Sequence, residues 1–153
     1  MRQALITFAI LAAVGSATAA AFDIKGDPVG YLEGKWHIGK KWYCPGMCAM
    51  DEAAAKAFRG RSFEYSGARM SNGQKTCGSP KYVIRRLSAE QFFRDYRCAP
   101  EDIGLLGKVV KEISVECEES GVIWPTVGNL ALIKNRGTFL TLWDGVFFEV
   151  HRD

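Results

Sequence analysis

The stretch "NLALIKNRGTFLTLWDGVFFEVHRD", Asn129 to Asp153, decides the fold because two turn signals interrupt its apolar runs. Asn135-Arg136-Gly137 is a short connection that ends in glycine, a residue suited to a left-handed backbone position. Asp144-Gly145 is a typical two-residue hairpin turn. The stretch therefore predicts two consecutive antiparallel hairpins.

Pairing outward from Asp144-Gly145 divides the second hairpin into two faces, because side chains alternate along a strand. The face that we predict to point into a core consists of Phe139, Thr141, Trp143, Val146, Phe148 and Val150. The outward face consists of Leu140, Leu142 and Phe147 near the turn, followed by Glu149 and His151. Since the outward face is apolar near the turn, it needs a helix, a partner or a ligand to cover it.

The rest of the chain also alternates with a period of two, apart from two helical segments. "VVKEISVEC" (residues 109–117) places Ile113 and Val115 on one face and Glu112 on the other. "MDEAAAKAF" predicts one helix, and "SAEQFFRDY" predicts another that starts with a capping box of Ser88 and Gln91. We therefore predict a mainly β fold: a single antiparallel barrel-like sheet of about seven or eight strands with two short helices, stapled by disulfides.

The first twenty residues, "MRQALITFAILAAVGSATAA", have the pattern of a secretory signal peptide. Arg2 precedes an apolar run that is too short for a stable membrane anchor, and Ala17-Thr18-Ala19 is typical of a cleavage site. We expect residues 1–19 to be removed, which leaves residues 20–153 as a single β-barrel-like domain. A second candidate cleavage site would start the mature chain at Phe22. The segment predicts a periplasmic or secreted protein.

Charge and motifs argue against several classes of function. The formal net charge is +3, and no block of lysine and arginine concentrates it, so we expect no nucleic-acid partner. The sequence contains no phosphate-binding loop, nucleophile elbow or H-E-x-x-H motif. We predict no catalytic residue and no cofactor.

The chain has five cysteines, an odd number, in a segment that we expect to meet oxidising conditions. Cys77 and Cys117 lie at predicted strand ends, and we favour them as one disulfide. The second bridge is expected among Cys44, Cys48 and Cys98. An alternative is a copper site, because Cys44, Met47, Cys48 and Met50 are soft ligands within seven residues.

Gly34-Lys35-Trp36 on the first predicted strand, together with Arg152 near the end of the last, resembles the calycin (lipocalin-like) signature. In calycins the tryptophan packs under the arginine and closes one end of the barrel. The resemblance therefore implies a small β-barrel. The C-terminal hairpin is also loosely similar to that of small exported bacterial proteins, which implies a fold and a compartment but no activity.

We expect a non-catalytic binding module for a small apolar or amphipathic ligand held inside the barrel. The inward aromatic residues that would line its cavity are Trp36, Phe63, Tyr65, Tyr82, Phe139, Trp143 and Phe148. An alternative is a module that binds a secreted protein, such as an inhibitor of a secreted or cell-wall hydrolase. Its candidate surface consists of Trp124, Leu140, Leu142 and Phe147. The third hypothesis is a periplasmic copper-binding protein.

Overall fold

A computed structural model describes residues 28–117, 122–123 and 126–153. The predicted signal peptide, both candidate mature N-termini and Trp124 lie outside the described residues. The helices are α1 (Pro28–Leu32), α2 (Glu52–Lys56) and α3 (Ala89–Tyr96), with a 3₁₀ turn at Pro100–Ile103. The strands are β1 (Gly34–Tyr43), β2 (Ser62–Tyr65), β3 (Arg69–Ser71), β4 (Thr76–Gly78), β5 (Pro80–Ser88), β6 (Val109–Cys117), β7 (Val122–Ile123), β8 (Leu130–Asn135), β9 (Thr138–Trp143) and β10 (Val146–Arg152).

The strands form one antiparallel sheet in the order β4-β3-β2-β1-β10-β9-β8-β6-β5, with β7 paired to β6. The sheet curls into a half-barrel, so the predicted mainly β class is confirmed. Its two edge strands are consecutive in the chain, because only Ser79, with φ of 49°, separates β4 from β5. A disulfide also joins Cys77 on the edge strand β4 to Cys117 on β6, the strand next to the other edge.

The hairpin register is the predicted one. Trp143 pairs with Val146, and Thr141 pairs with Phe148. Both turn residues have positive φ, 49° at Asp144 and 80° at Gly145, as a two-residue turn of this kind requires. The two faces of this hairpin therefore meet different surroundings, as the period of two predicts.

The concave side of the sheet is packed with its own aromatic rings. Five of the seven predicted cavity residues are almost fully buried there: Trp36, Phe63, Tyr65, Phe139 and Phe148. The ring centroids of Trp36 and Phe139 are 4.9 Å apart, and those of Phe63 and Tyr65 are 6.2 Å apart. These five side chains pack against one another within the core, and their role in lining a ligand cavity stays a prediction.

The convex side of the β9–β10 hairpin is covered by a helix. Leu140 and Phe147 are 0% and 2% exposed, and they share a second core cluster with Phe92 of α3. The Tyr96 ring on the same helix lies edge-on to Phe147, with centroids 6.0 Å apart. These two members of the predicted partner-binding patch are therefore core residues. The sequence left open whether a helix, a partner or a ligand covers this outward face. In the structure, helix α3 covers it.

Helix α3 starts where the sequence predicts it. The Ser88 hydroxyl accepts the Gln91 backbone N–H, and the Gln91 side chain accepts the Ser88 backbone N–H. This reciprocal capping box satisfies two donors that a helix start leaves unpaired. It also fixes the direction in which the helix leaves β5, and so places Phe92 and Tyr96 over the sheet.

Trp36 and Arg152, the pair that carried the calycin resemblance, lie opposite each other on β1 and β10. The Arg152 guanidinium carbon lies 4.3 Å from the centroid of the buried Trp36 ring. Arg152 also donates to the backbone carbonyls of Glu33 and Tyr31 at 2.6 Å and 2.5 Å, which ties α1 to the last strand. The curled sheet is compatible with a calycin-like barrel.

Within the described ranges, no helix is long and apolar enough to cross a membrane.

Candidate functional site: a groove on the convex face

An open groove of about 420 Å³ lies on the convex face of the sheet, beyond the C-terminal end of α3. Its floor comes from outward-facing positions of β5, β6 and β8, and its sides from α3 and the end of β9. The lining residues are Val83, Arg85, Tyr96, Glu112, Ser114, Glu116, Asn129, Leu130, Leu142 and Trp143. The groove therefore occupies the part of the convex face that α3 leaves open.

The groove has an apolar portion formed by Val83, Leu130, Leu142 and Trp143. Leu130 and Leu142 are only half-buried and pack against the cluster beneath α3. Trp143 is also half-buried and contacts the concave core. These side chains offer a surface for a small apolar group at the edge of a preformed core.

The groove has a polar portion built around one buried carboxylate. Glu112 is 2% exposed, and it lies directly opposite Arg85 in the β5–β6 register. It accepts Arg85 Nη1 at 3.1 Å and also accepts the Tyr96 hydroxyl. Arg85 Nη2 donates to Asp95 on α3 at 2.7 Å. Each group in this network is paired, which is what makes a buried carboxylate tolerable in the fold.

Two members of the network, Tyr96 and Arg85, have raised pKa values. Burial, followed by the hydrogen bond with Glu112, raises the pKa of Tyr96 well above its ordinary value. The hydrogen bond with Asp95, followed by the charge of Glu112, raises the pKa of Arg85. Tyr96 is therefore a neutral hydrogen-bond donor and Arg85 a fixed cation at neutral pH.

The remaining predicted site residues are dispersed. Tyr82 is half-buried beside the concave core, and its hydroxyl donates to the Ser66 carbonyl at 2.8 Å. Among the predicted cavity and partner residues that the structure describes, only Trp143 and Leu142 line the groove. The other lining residues of the groove were not predicted as site residues. The sequence does show one sign of them, because Glu112, Ser114 and Glu116 alternate along β6 as an outward series.

Four of the five cysteines form two disulfides, Cys44–Cys48 and Cys77–Cys117, and Cys98 is a buried free thiol. Cys77 pairs with Cys117, as predicted from their positions at strand ends. The second bridge joins Cys44 and Cys48, two of the three predicted candidates. Two disulfides in a domain of this size are typical of an oxidising, extracellular environment. They agree with the compartment that the N-terminal segment predicts.

The copper ligand set is not assembled in this oxidised protein. Cys44 and Cys48 are bonded to each other, so neither offers the thiolate that copper would need. Met47 points fully into solvent, whereas Met50 packs against the core. Among the residues that the structure describes, no group of three or more histidine, cysteine, aspartate or glutamate side chains is placed to hold a metal ion.

The single free thiol gives a direct test of this cysteine pattern. Cys98 is almost fully buried, and burial, followed by the nearby Asp102 charge, raises its pKa, so its reactive thiolate is scarce. We expect the folded, oxidised protein to resist alkylation at pH 7. One label per chain should appear after unfolding without reductant, and peptide mapping should place it on Cys98. Three labels under those conditions would contradict the two bridges.

The chain matches no known protein family, no curated protein and no solved structure. The candidate site therefore depends on its own geometry: a small open groove with an apolar portion and a fully paired charged network.

Proposed function

We propose that this chain is an exported, non-catalytic binding module of calycin-like architecture that holds a small amphipathic ligand in the convex groove. The observation that carries the proposal is the contrast between the two faces of the sheet. The concave face is occupied by buried aromatic rings, whereas the convex face has an open groove of about 420 Å³. A volume of this size is in the range of small-molecule sites.

The groove offers the two kinds of contact that an amphipathic molecule uses. Leu130, Leu142 and Trp143 form a surface for its apolar part. Ser114, Asn129 and Glu116 at the lining provide polar partners for its headgroup. Because the Glu112 network is already paired, the site is preformed, and little ordering of side chains opposes binding.

The proposal predicts that a neutral amphiphile binds at the apolar portion of the groove. Octyl glucoside, titrated calorimetrically below the concentration at which it forms micelles, should bind with one site per chain. Leu142→Asn should weaken binding about tenfold, since it removes apolar contact worth about 1.4 kcal/mol. The matched control is Leu106→Asn, because Leu106 is exposed and outside the groove.

Two results would contradict this function. The first is the absence of saturable binding by the folded protein. The second is an equal loss of affinity in both leucine variants, because Leu106 has no contact with the groove. Thermal melts of each variant show that the comparison is made between folded proteins.

One observation favours a second function, in which this chain binds a secreted protein such as a cell-wall hydrolase. Met47 is the most exposed large apolar side chain among the described residues, at the tip of the loop closed by Cys44–Cys48. The loop is held against the β9–β10 turn, where the Ala49 N–H donates to the backbone carbonyl of Asp144 at 3.0 Å. Gly145 permits this approach, because a Cβ there would lie 3.2 Å from the Cys48 Cα.

A rigid loop with an exposed thioether suits insertion into an apolar pocket of a partner. If this loop inhibits a muramidase, Met47→Asp should raise the inhibition constant at least tenfold in a peptidoglycan-hydrolysis assay. The melting temperature should stay the same, since Met47 contributes little to the core. Unchanged inhibition by the variant, or no inhibition by the parent protein, would exclude this role for the loop.

A further inference from the structure

We infer that the groove selects amphipathic cations, so that the ligand's polar end is an ammonium or a related organic cation. This inference rests on the proposed function, because it assigns a chemical class to the ligand of the same groove. It is carried by the charges that line the groove and by the way in which those charges are already paired.

The lining contains two glutamates, Glu112 and Glu116, and one arginine, Arg85. Both arms of the Arg85 guanidinium are engaged, one by Asp95 at 2.7 Å and one by Glu112 at 3.1 Å. The guanidinium is thus held between two carboxylates. An anionic headgroup that approached it would have to displace a carboxylate and would meet the remaining negative charges.

Glu116 is the accessible carboxylate of the groove. Its side chain is 41% exposed, and its ion partner Lys81 lies 3.4 Å away with a side chain that is 64% exposed. An ion pair between two such exposed side chains is weak and easily exchanged. A ligand cation can therefore take the place of the Lys81 ammonium without leaving a buried charge unpaired.

Trp143 adds a second feature that favours a cation. The face of an indole ring attracts alkylammonium groups, and it attracts them more strongly than the other aromatic side chains do. Trp143 is the last residue of β9 and packs against the concave core, but it is only half-buried and also lines the same groove as Glu116, Leu130 and Leu142. The groove thus combines a carboxylate, an indole and an aliphatic surface, which together match an ammonium group that carries a hydrocarbon chain.

The test compares three probes that share one octyl chain: octyltrimethylammonium, octyl glucoside and octyl sulfate. All three are titrated calorimetrically below micelle formation at the same low ionic strength. We expect the cation to bind at least tenfold more tightly than the anion, and added sodium chloride to reduce that preference. Equal affinity for the two charged probes, or preference for octyl sulfate, would overturn the inference.

A carboxylate variant locates the selectivity. Glu116→Gln should weaken octyltrimethylammonium binding about three- to tenfold and octyl glucoside binding by less than about twofold, because the amide keeps a hydrogen-bonding oxygen and loses only the charge. Glu64→Gln is the matched control, because Glu64 is a part-exposed glutamate that pairs with Arg69 on β3, outside the groove. An unchanged cation affinity in Glu116→Gln would overturn the assignment.

The two proposals fail in different ways. Binding of octyl glucoside that depends on Leu142, without selection of the cation, would leave the groove as a binding site and remove only the charge assignment. If none of the three probes binds, the proposed function itself is overturned.

Discussion

Replacing Phe147 with alanine is expected to destabilise the protein as much as replacing Phe148, by about 3–5 kcal/mol in each case. Phe148 is buried in the concave core, where its ring stacks on Phe58 with centroids 4.9 Å apart. Phe147 points to the opposite face and is equally buried, beneath Phe92 and Tyr96 of α3. Each truncation leaves a cavity, and either loss approaches the whole stability of a small domain.

The measurement is urea unfolding followed by circular dichroism, with Phe93→Ala as control. Phe93 lies on α3 beside Phe92, but its side chain is half-exposed, so its truncation should cost less than about 1 kcal/mol. A small effect of Phe147→Ala together with a large effect of Phe148→Ala would contradict the buried second cluster. That result would restore the outward face of the hairpin as a free surface.

Loss of the Cys77–Cys117 bridge is expected to cost about 2–5 kcal/mol. The bridge spans 40 positions along the chain, so its removal frees a long loop in the unfolded protein. Both cysteines are buried, so the double replacement Cys77→Ala and Cys117→Ala is the appropriate variant. The bridge also holds β4, a three-residue edge strand, against β6.

The Cys44–Cys48 bridge provides the comparison, since it spans only 4 positions. The double replacement Cys44→Ser and Cys48→Ser should cost clearly less, because closing a short loop removes less chain entropy. Denaturant titrations of both double variants under non-reducing conditions measure the difference. If removing the Cys44–Cys48 bridge lowered the free energy of unfolding more than removing the Cys77–Cys117 bridge, the Cys77–Cys117 bridge would not be the main stabilising cross-link.

The sequence predicted local pairing well because hairpin geometry is a local property. Asp144-Gly145 requires positive φ at both positions, and this requirement fixes Trp143 opposite Val146 and every pair beyond. The capping box at Ser88 is local in the same sense, and it fixed where α3 begins. The class of fold followed from these elements, although β3, β4 and β7 are too short to leave a clear alternation.

What covers each face could not be predicted, because it depends on contacts between distant segments. Leu140 and Phe147 form an apolar outward face in the sequence, and a helix, a ligand or a partner would satisfy it equally well. Only the position of α3 across the sheet decides among them. In the same way, alternation identifies inward aromatic residues but does not tell whether their rings enclose a cavity or fill it.

The groove was hidden for a related reason. Its residues come from separate strands, from α3 and from the residues around Asn129, and no motif joins them along the chain. The strongest local signal was the polar series on β6, where Glu112 and Glu116 alternate with apolar residues. Such a series is typical of a solvated strand face, and only the fold shows that Glu112 is buried between Arg85 and Tyr96.

The central claim, that the ligand binds outside the curled sheet, is tested most directly by mapping NMR shift changes on titration with octyl glucoside. We expect saturable changes confined to the backbone amides of Ser114, Leu130 and Leu142 and to the Trp143 indole N–H. The amides of Phe63 and Phe139, on the concave face, should stay unchanged. Saturable changes centred on the concave residues, with the groove unaffected, would contradict the account and return the ligand to the interior of the barrel.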